Sequence, residues 1–408
     1  MAWRCLLTGA LKAEALRAVD DIAVDLEAAG ANSSASLSAG HAGLALFHGQ
    51  LAISGRGDDS RRLADEHLDR ALEILSSAAT SSLGLLNGAS GVGWVLHHLT
   101  AAFSGASSPA VTQDLDAAIG SALTEREWAW ELDYAHGLAG IAGYFLDHPA
   151  SAMAARMLER ICEILSDRAE HGASGICWRT PPRFRSSYRE LNDPRGDVDL
   201  GLAHGIPGII AVLGRAAGEH GIALARELRD HATEWFRGQA MLEGEMATPL
   251  SVPFFLGERE AARSAWCYGN PGAATGLFIS YASTGDAAGQ AWAQELAHAE
   301  CRRPPGETGV VDATLCHGAA GLAHMYNRLY QASGDEELAA AARRWLEAAL
   351  AMRRTGGCGG FMNWWPEEKR WHAETGLLVG AAGVGLALLA AACDAEPAWD
   401  RIFLLSRR

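Results

Sequence analysis

Residues 317–326 read HGAAGLAHMY, two glycines three apart that run straight into an apolar stretch. The figure occurs six more times: AGHAGLALF at 39–47, NGASGVGWVL at 87–96, HGLAGIAGYFL at 136–146, HGIPGIIAVL at 204–213, YGNPGAATGLF at 268–278 and VGAAGVGLALL at 379–389. One GxxG carries no information, but seven with the same apolar continuation mark an internal repeat. Successive first glycines lie 48, 49, 68, 64, 49 and 62 residues apart. That length suits two helices of about four turns each with their connections. Between the motifs run patterns with a charged face, at 59–77, 150–170 and 335–353. Each repeat therefore reads as an amphipathic outer helix, a glycine loop and an apolar inner helix.

Seven helix pairs can stack as an open solenoid or close into a ring. An open solenoid needs polar capping repeats. The last repeat here is among the most apolar, so the expected fold class is all-α, a closed α/α toroid of seven helix pairs spanning residues 1–408 as one domain. Glycine at the start of each inner helix should allow positive φ and close backbone approach, and Pro207 and Pro271 fit a first helical turn. The 68-residue spacing contains residues 172–199, rich in Pro and Arg, which read as an irregular insertion.

Composition narrows the function. The 408 residues carry 34 Lys+Arg against 49 Asp+Glu, a net charge of −15, which argues against a nucleic-acid binder. Lys12 and Glu14 interrupt the apolar run after Arg4, so the N-terminal stretch does not read as a signal peptide. The uncharged run 376–393 reaches membrane-spanning length, but Gly376, Gly380, Gly383 and Gly385 make it a loop and a buried helix instead. Eight scattered cysteines are no disulfide framework, and the expected location is cytoplasmic.

Ligand-type residues fall in one register. Cys267 and Cys316 lie two before their motif glycines, and His204 and His317 one before theirs. In a closed ring these positions converge at one mouth. Two thiolates and an imidazole suit zinc, and three protein ligands leave its fourth position open for chemistry. His298 and Cys301, three apart on a helix, have no further ligands nearby and read as surface residues, and Cys358 reads as a loop thiol. Trp364, Trp365 and Trp371 precede the seventh motif and suit either peptide contact or loop packing.

The stretches AWCYGNPG (265–272), LCHGAAGL (315–322) and GLAHGIPGI (201–209) resemble those of the lanthipeptide cyclases, the LanC-type lanthionine synthetases, with the likeness running from about Gly40 to Gly383. The resemblance implies an α/α toroid with inner and outer rings of seven helices. It implies addition of a peptide cysteine to dehydroalanine or dehydrobutyrine, closing a thioether ring. By the same likeness Cys267, Cys316 and His317 hold one Zn²⁺, His204 is the acid/base histidine, Asp133 its partner acid, and Arg263 and Tyr268 are further active-site positions. His136, also one before a motif glycine, competes with His204 as proton donor and otherwise reads as a rim histidine. The implied partners are a dehydrated precursor peptide, a dehydratase and an exporter, with attachment at the inner membrane face through them. Tyr268 in WCYG favours the bacterial peptide cyclases over the LanC-like group that joins glutathione to dehydro residues. A zinc-bearing scaffold without turnover is disfavoured by Asp133, His204 and Arg263 occurring together. A toroidal glycosidase is disfavoured because the motif loops hold no carboxylate pair. The arginines of the insertion, Arg179, Arg183, Arg185, Arg189 and Arg195, suggest a basic patch for an acidic part of the peptide.

Overall fold

The computed structural model describes residues 3–29, 33–77, 82–106, 109–124, 128–184, 193–240 and 251–407. Among them run fourteen α-helices. Those that follow the glycine motifs are α2 (His41–Ile53), α4 (Ala89–Ser104), α6 (Leu138–Leu146), α8 (Ile206–Glu219), α10 (Gly269–Thr284), α12 (Ala319–Ser333) and α14 (Ala381–Ala392). Alternating with them are α1 (Gly9–Ala28), α3 (Ser60–Ser77), α5 (Gln113–Thr124), α7 (Ser151–Arg168), α9 (Ala223–Ala240), α11 (Ala287–Cys301) and α13 (Glu336–Ala351). Every residue of α6 and α14 is buried, as helices apolar on all faces require. Helix α3 instead buries only Ser60, Ala64, Leu68 and Ala71, and turns the ion pairs Arg61–Asp65 and Arg62–Glu66 outward.

The inner helices close a ring. Each packs against the next, α2 on α4 and so on to α14, and α14 returns to α2. The two-ring α/α toroid is thus as expected, but the pairing within repeats is shifted. Except for α4, which touches α3 at least as much as α5, an inner helix takes as its outer partner the helix that follows it, as α2 does α3 and α10 does α11, and α14 takes α1. The pair of α14 and α1 completes the ring. None of these helices is long and apolar enough to cross a membrane.

A second closure runs through the loops. In each motif the residue two before the first glycine bonds its counterpart in the next repeat, N–H to C=O. The chain of donors and acceptors is Ser38 to Leu86, Leu86 to Ala135, Ala135 to Ala203, Ala203 to Cys267, Cys267 to Cys316, Cys316 to Leu378, and Leu378 back to Ser38, at 2.8–3.4 Å. The motif glycines permit this stitching by close approach. A Cβ on Gly91 would meet its own loop's Leu85 carbonyl and the Leu37 side chain of the preceding repeat, and one on Gly383 would meet the Leu377 carbonyl and Leu315. Positive φ is not the general reason: of the seven first glycines only Gly269 adopts it, at 78°.

The interior of the ring is filled by the C-terminal segment. A 3-10 turn over Ala398–Phe403 leads to Leu404 and Leu405, and Trp399, Ile402, Phe403, Leu404 and Leu405 are all buried. Tyr134 Oη donates to the Ile402 carbonyl and Trp266 Nε1 to that of Phe403, both at 2.8 Å. Asp400 is buried against His324 and Arg328 of α12.

Two antiparallel hairpins decorate the toroid. Strands β1 (Glu170–Gly172) and β2 (Gly175–Cys177) lie against α9. They open the stretch read as an irregular insertion, which continues through a 3-10 turn at Pro182–Phe184 and a bridge between Thr180 and Asp197. Strands β3 (Asn363–Trp365) and β4 (Arg370–His372) carry the tryptophan cluster, with the Trp364 and Trp371 rings 5.3 Å apart.

The close-approach account of the glycines separates two substitutions. Gly91→Ala should destabilise the fold by about 1–3 kcal/mol, the usual cost of overpacking. Gly238→Ala, exposed on α9 with open space around it, should stabilise by about 0.5–1 kcal/mol. Urea unfolding of both variants checks this, and changes of equal sign would contradict it.

Candidate functional site

The ring of loop hydrogen bonds sorts side chains by position. Residues two before the motif glycines are buried, Leu378 only partly, whereas the next residues open towards solvent. On four consecutive loops those next residues are His136, His204, Tyr268 and His317, each half-buried. The sequence register therefore becomes a contiguous polar arc at one mouth of the toroid.

One half of the arc is a sulfur and imidazole cluster. Cys267, Cys316 and His317 bring their ligand atoms within 4.8 Å of one another. Both thiols are buried. The hydrogen bond between the sulfurs, with His317 and Arg263 close by, outweighs burial and holds Cys267 well below the usual thiol range. Cys316, sharing that bond and itself buried, is pushed well above it. The Arg263 guanidinium donates to Cys267 Sγ at 3.8 Å, so its first partner is the thiolate. His317 Nδ1 is buried without a hydrogen-bond partner. On the other side of that ring, Asp312 Oδ2 stands 3.7 Å from Nε2. Asp312 is itself held by the Thr314 N–H and hydroxyl and by the Trp364 N–H. A free imidazole nitrogen beside a thiolate, with a carboxylate behind the ring, is the donor set of a metal centre with its supporting shell.

The other half is an acid–base cluster. Asp133 Oδ1 accepts the N–H groups of His136 and Gly137, at 2.7 and 2.9 Å. Its Oδ2 accepts from His204 Nδ1 at 2.7 Å and stands 3.7 Å from His136 Nδ1. The two imidazoles stack with centroids 5.2 Å apart. Burial would raise the Asp133 carboxyl, but the bonds from His136 and His204 prevail and hold it well below the usual carboxylate range. For His204 burial works downward, yet the Asp133 bond and the surrounding negative charge raise it to about 9. His204 is thus an imidazolium at neutral pH, with Asp133 its fixed counter-ion.

Tyr268 connects the halves, being next to Cys267 in the chain and 6.3 Å from the His204 ring. Its hydroxyl donates to Asp199 Oδ2 at 2.7 Å. Burial lifts the Asp199 carboxyl to about 6 despite nearby His204. A cavity of about 500 Å³ opens beside this arc, lined by Asp133, His136, His204, Tyr268, Asp199 and Phe255, with Thr180 and Phe184 of the inserted stretch among its walls.

All seven sequence-predicted residues fall in the arc. His136, read as a rim histidine, sits half-buried at the mouth with its Nδ1 3.7 Å from Asp133 Oδ2 and its ring stacked on His204. Asp199 and Asp312 were not anticipated, although each lies six before a motif glycine, a register that would have shown them. Of the five arginines of the expected basic patch, two are paired locally with carboxylates. Arg179 is clasped by Glu170 and Arg195 by Asp193, while Arg183 leans on Phe184 and the Ala129 carbonyl. Arg185, Arg189 and Tyr188 lie outside the described residues. His298 is not a free surface residue, since it pairs with Asp335 at the start of α13, and Cys358 is buried.

Comparisons with known proteins agree with this geometry. The structure of nisin cyclase superimposes with a TM-score of 0.73 over 95% of this chain and 96% of that one, at 19% identity, a likeness of fold. Among curated proteins none matches the chain by sequence. A family model described as lanthionine synthetase C-like protein matches residues 32–404, nearly the whole toroid and both halves of the arc, and the chain belongs to that family.

Proposed function

We propose that this protein is a lanthionine cyclase, which adds a cysteine thiol of a peptide across the double bond of a dehydroalanine or dehydrobutyrine residue in the same peptide. The observation that carries the reading is the adjacency of two chemically opposite clusters on consecutive loops. Cys267, Cys316 and His317 would hold one zinc ion, which when bound supplies the Lewis acidity that keeps a thiol deprotonated at neutral pH. Arg263 steadies the Cys267 thiolate, and Asp312 fixes the orientation of the His317 ring.

The chain's own groups account for the rest. Carbon–sulfur bond formation at the β-carbon leaves negative charge on the α-carbon and its carbonyl oxygen. His204 is charged, half-exposed to the cavity, and held by Asp133, so it can deliver the proton to the α-carbon. The net change is addition of S–H across C=C, with no other product. The cavity admits a segment of chain, and the proximity of Tyr268 and Phe255 offers it apolar surface. The expected substrate is a dehydrated peptide, made by a separate dehydratase and passed on to an exporter.

The test is a synthetic peptide with one dehydroalanine and one cysteine, incubated with the zinc-loaded protein and then alkylated. Ring closure protects the thiol without changing mass, and added glutathione should give no adduct. His204→Ala should retain one zinc and slow closure by roughly 10²–10⁴-fold. Cys316→Ala should lose both zinc and closure. Wild-type protein that leaves the thiol free, or joins only glutathione, would refute the proposal.

The charge state of His204 gives a pH prediction. The acid form is fully present below the raised value of about 9 and is lost as pH rises through it, so closure should fall on that limb. Asp133→Asn removes the anion and should return the histidine towards about 6.5, moving the limb down with it. Histidine-resolved NMR titration of both proteins decides this, and an unshifted His204 would show that Asp133 does not set its charge.

A further inference from the structure

We propose that Asp133, His136 and His204 form a second divalent-cation site, and that an ion bound there switches the acid–base cluster off. The inference rests on the proposed role of His204. The three side chains bring one ligand atom each within 4.8 Å of the others. Two imidazole nitrogens bracket a single carboxylate oxygen, at 2.7 and 3.7 Å from Asp133 Oδ2. Asp133 is anchored by the backbone N–H groups of His136 and Gly137 on its other oxygen, so Oδ2 faces the imidazoles in a fixed direction. Two histidines and one carboxylate, open on the cavity side, are a facial ligand set with room for water or substrate.

The surroundings favour a cation. Glu131, Asp197 and Asp199 line the same cavity, beside Asp133. Carboxylate walls in a partly enclosed cleft concentrate divalent ions near the imidazoles. The ligand chemistry also separates the two sites. Thiolates suit soft or borderline ions such as Zn²⁺, whereas an N,N,O set takes Zn²⁺, Co²⁺ or Ni²⁺ with less preference. The thiolate site should therefore fill first and the second site at higher metal.

Occupancy and catalysis exclude each other. The proton shared between His204 and Asp133 occupies the line along which both would bind the ion. Binding displaces that proton and puts His204 Nδ1 on the metal, so the ring is no longer an imidazolium and its remaining N–H is too weak an acid to protonate the α-carbon. The enzyme would then carry one activating and one inhibitory ion, so that its rate rises and falls as metal is added.

Metal-free protein titrated with Co²⁺ tests this by a readout that does not need turnover. The first equivalent should bring near-ultraviolet thiolate-to-cobalt absorption, and the second only weak visible bands of a nitrogen–oxygen site. Cys316→Ala should lose the first and keep the second. His136→Ala and His136→Gln, checked for folding by circular dichroism, should keep the first and weaken the second by at least the roughly 10–100-fold that loss of even an outer-shell partner costs. With Zn²⁺, ring closure by the wild-type protein should peak at one equivalent and fall with the second. Saturation at one equivalent, or a second equivalent unaffected by both His136 variants, would overturn the site. Absence of closure at one equivalent would instead count against the function on which the inhibition rests, and the cobalt stoichiometry would still stand.

Discussion

Everything at the mouth of this toroid depends on seven backbone hydrogen bonds. The residue two before each motif glycine passes its N–H to the carbonyl of its counterpart in the next repeat, from Ser38 around to Leu378 and back. Such a circuit tolerates no slip, because moving one loop by a residue would break two bonds and turn a buried side chain outward. It forces equivalent residues of different repeats to equal depth. The glycines make it possible, since a Cβ at either motif position would strike the loop's own carbonyls. A polar arc assembled from residues as distant as Asp133 and His317 is therefore no more costly to align than one loop.

The circuit also divides the mouth chemically. Loops before α6, α8, α10 and α12 carry Asp133, His204, Cys267 and Cys316 with their neighbours, while those before α14, α2 and α4 present Val379, Ala39 and Asn87. Half the ring is quiet scaffold. In the active half, soft sulfur ligands sit on two loops and nitrogen–oxygen groups on the two before them. The clusters are electrostatically linked: the thiolate is among the influences that raise His204, and Arg263 counters that thiolate. Under the proposed function, the pairing would give one place where a thiol loses its proton and a neighbouring place where a proton is supplied.

The repeat, its ring closure and Cys267, Cys316, His317 and His204 were legible because they obey one register, which a period of about fifty residues exposes, whereas Asp133, Arg263 and Tyr268 were reached only through the family resemblance. What escaped had no such signal. That α14 pairs with α1 joins helices about 350 residues apart, a contact that local patterns do not reveal. Asp312 and Asp199 act through other side chains, and an acidic residue in a loop is common enough to pass unremarked. Two of the arginines of the insertion were read without their partners: Glu170 lies just outside the stretch and pairs with Arg179, and Asp193 lies within it and pairs with Arg195. The glycines were identified for a partly wrong cause, since what decides them is crowding by neighbouring loops.

The inner wall extends the same logic to the chain's end. The residues next to Asp133 and Cys267 are Tyr134 and Trp266, whose polar tips are bound by the carbonyls of Ile402 and Phe403. Both rings are buried, so an unpaired hydroxyl or indole N–H there would carry a desolvation cost. The C-terminal segment meets that need and fills the interior that seven helices cannot fill themselves. It is fixed in turn by Asp400 on His324 and Arg328 of α12, the helix that begins just beyond Cys316 and His317. One short segment thus braces an acid–base loop, a thiolate loop and the helix behind the remaining ligands. The backbone circuit sets the depth of the site residues, and the plug beneath it keeps the two clusters from moving independently.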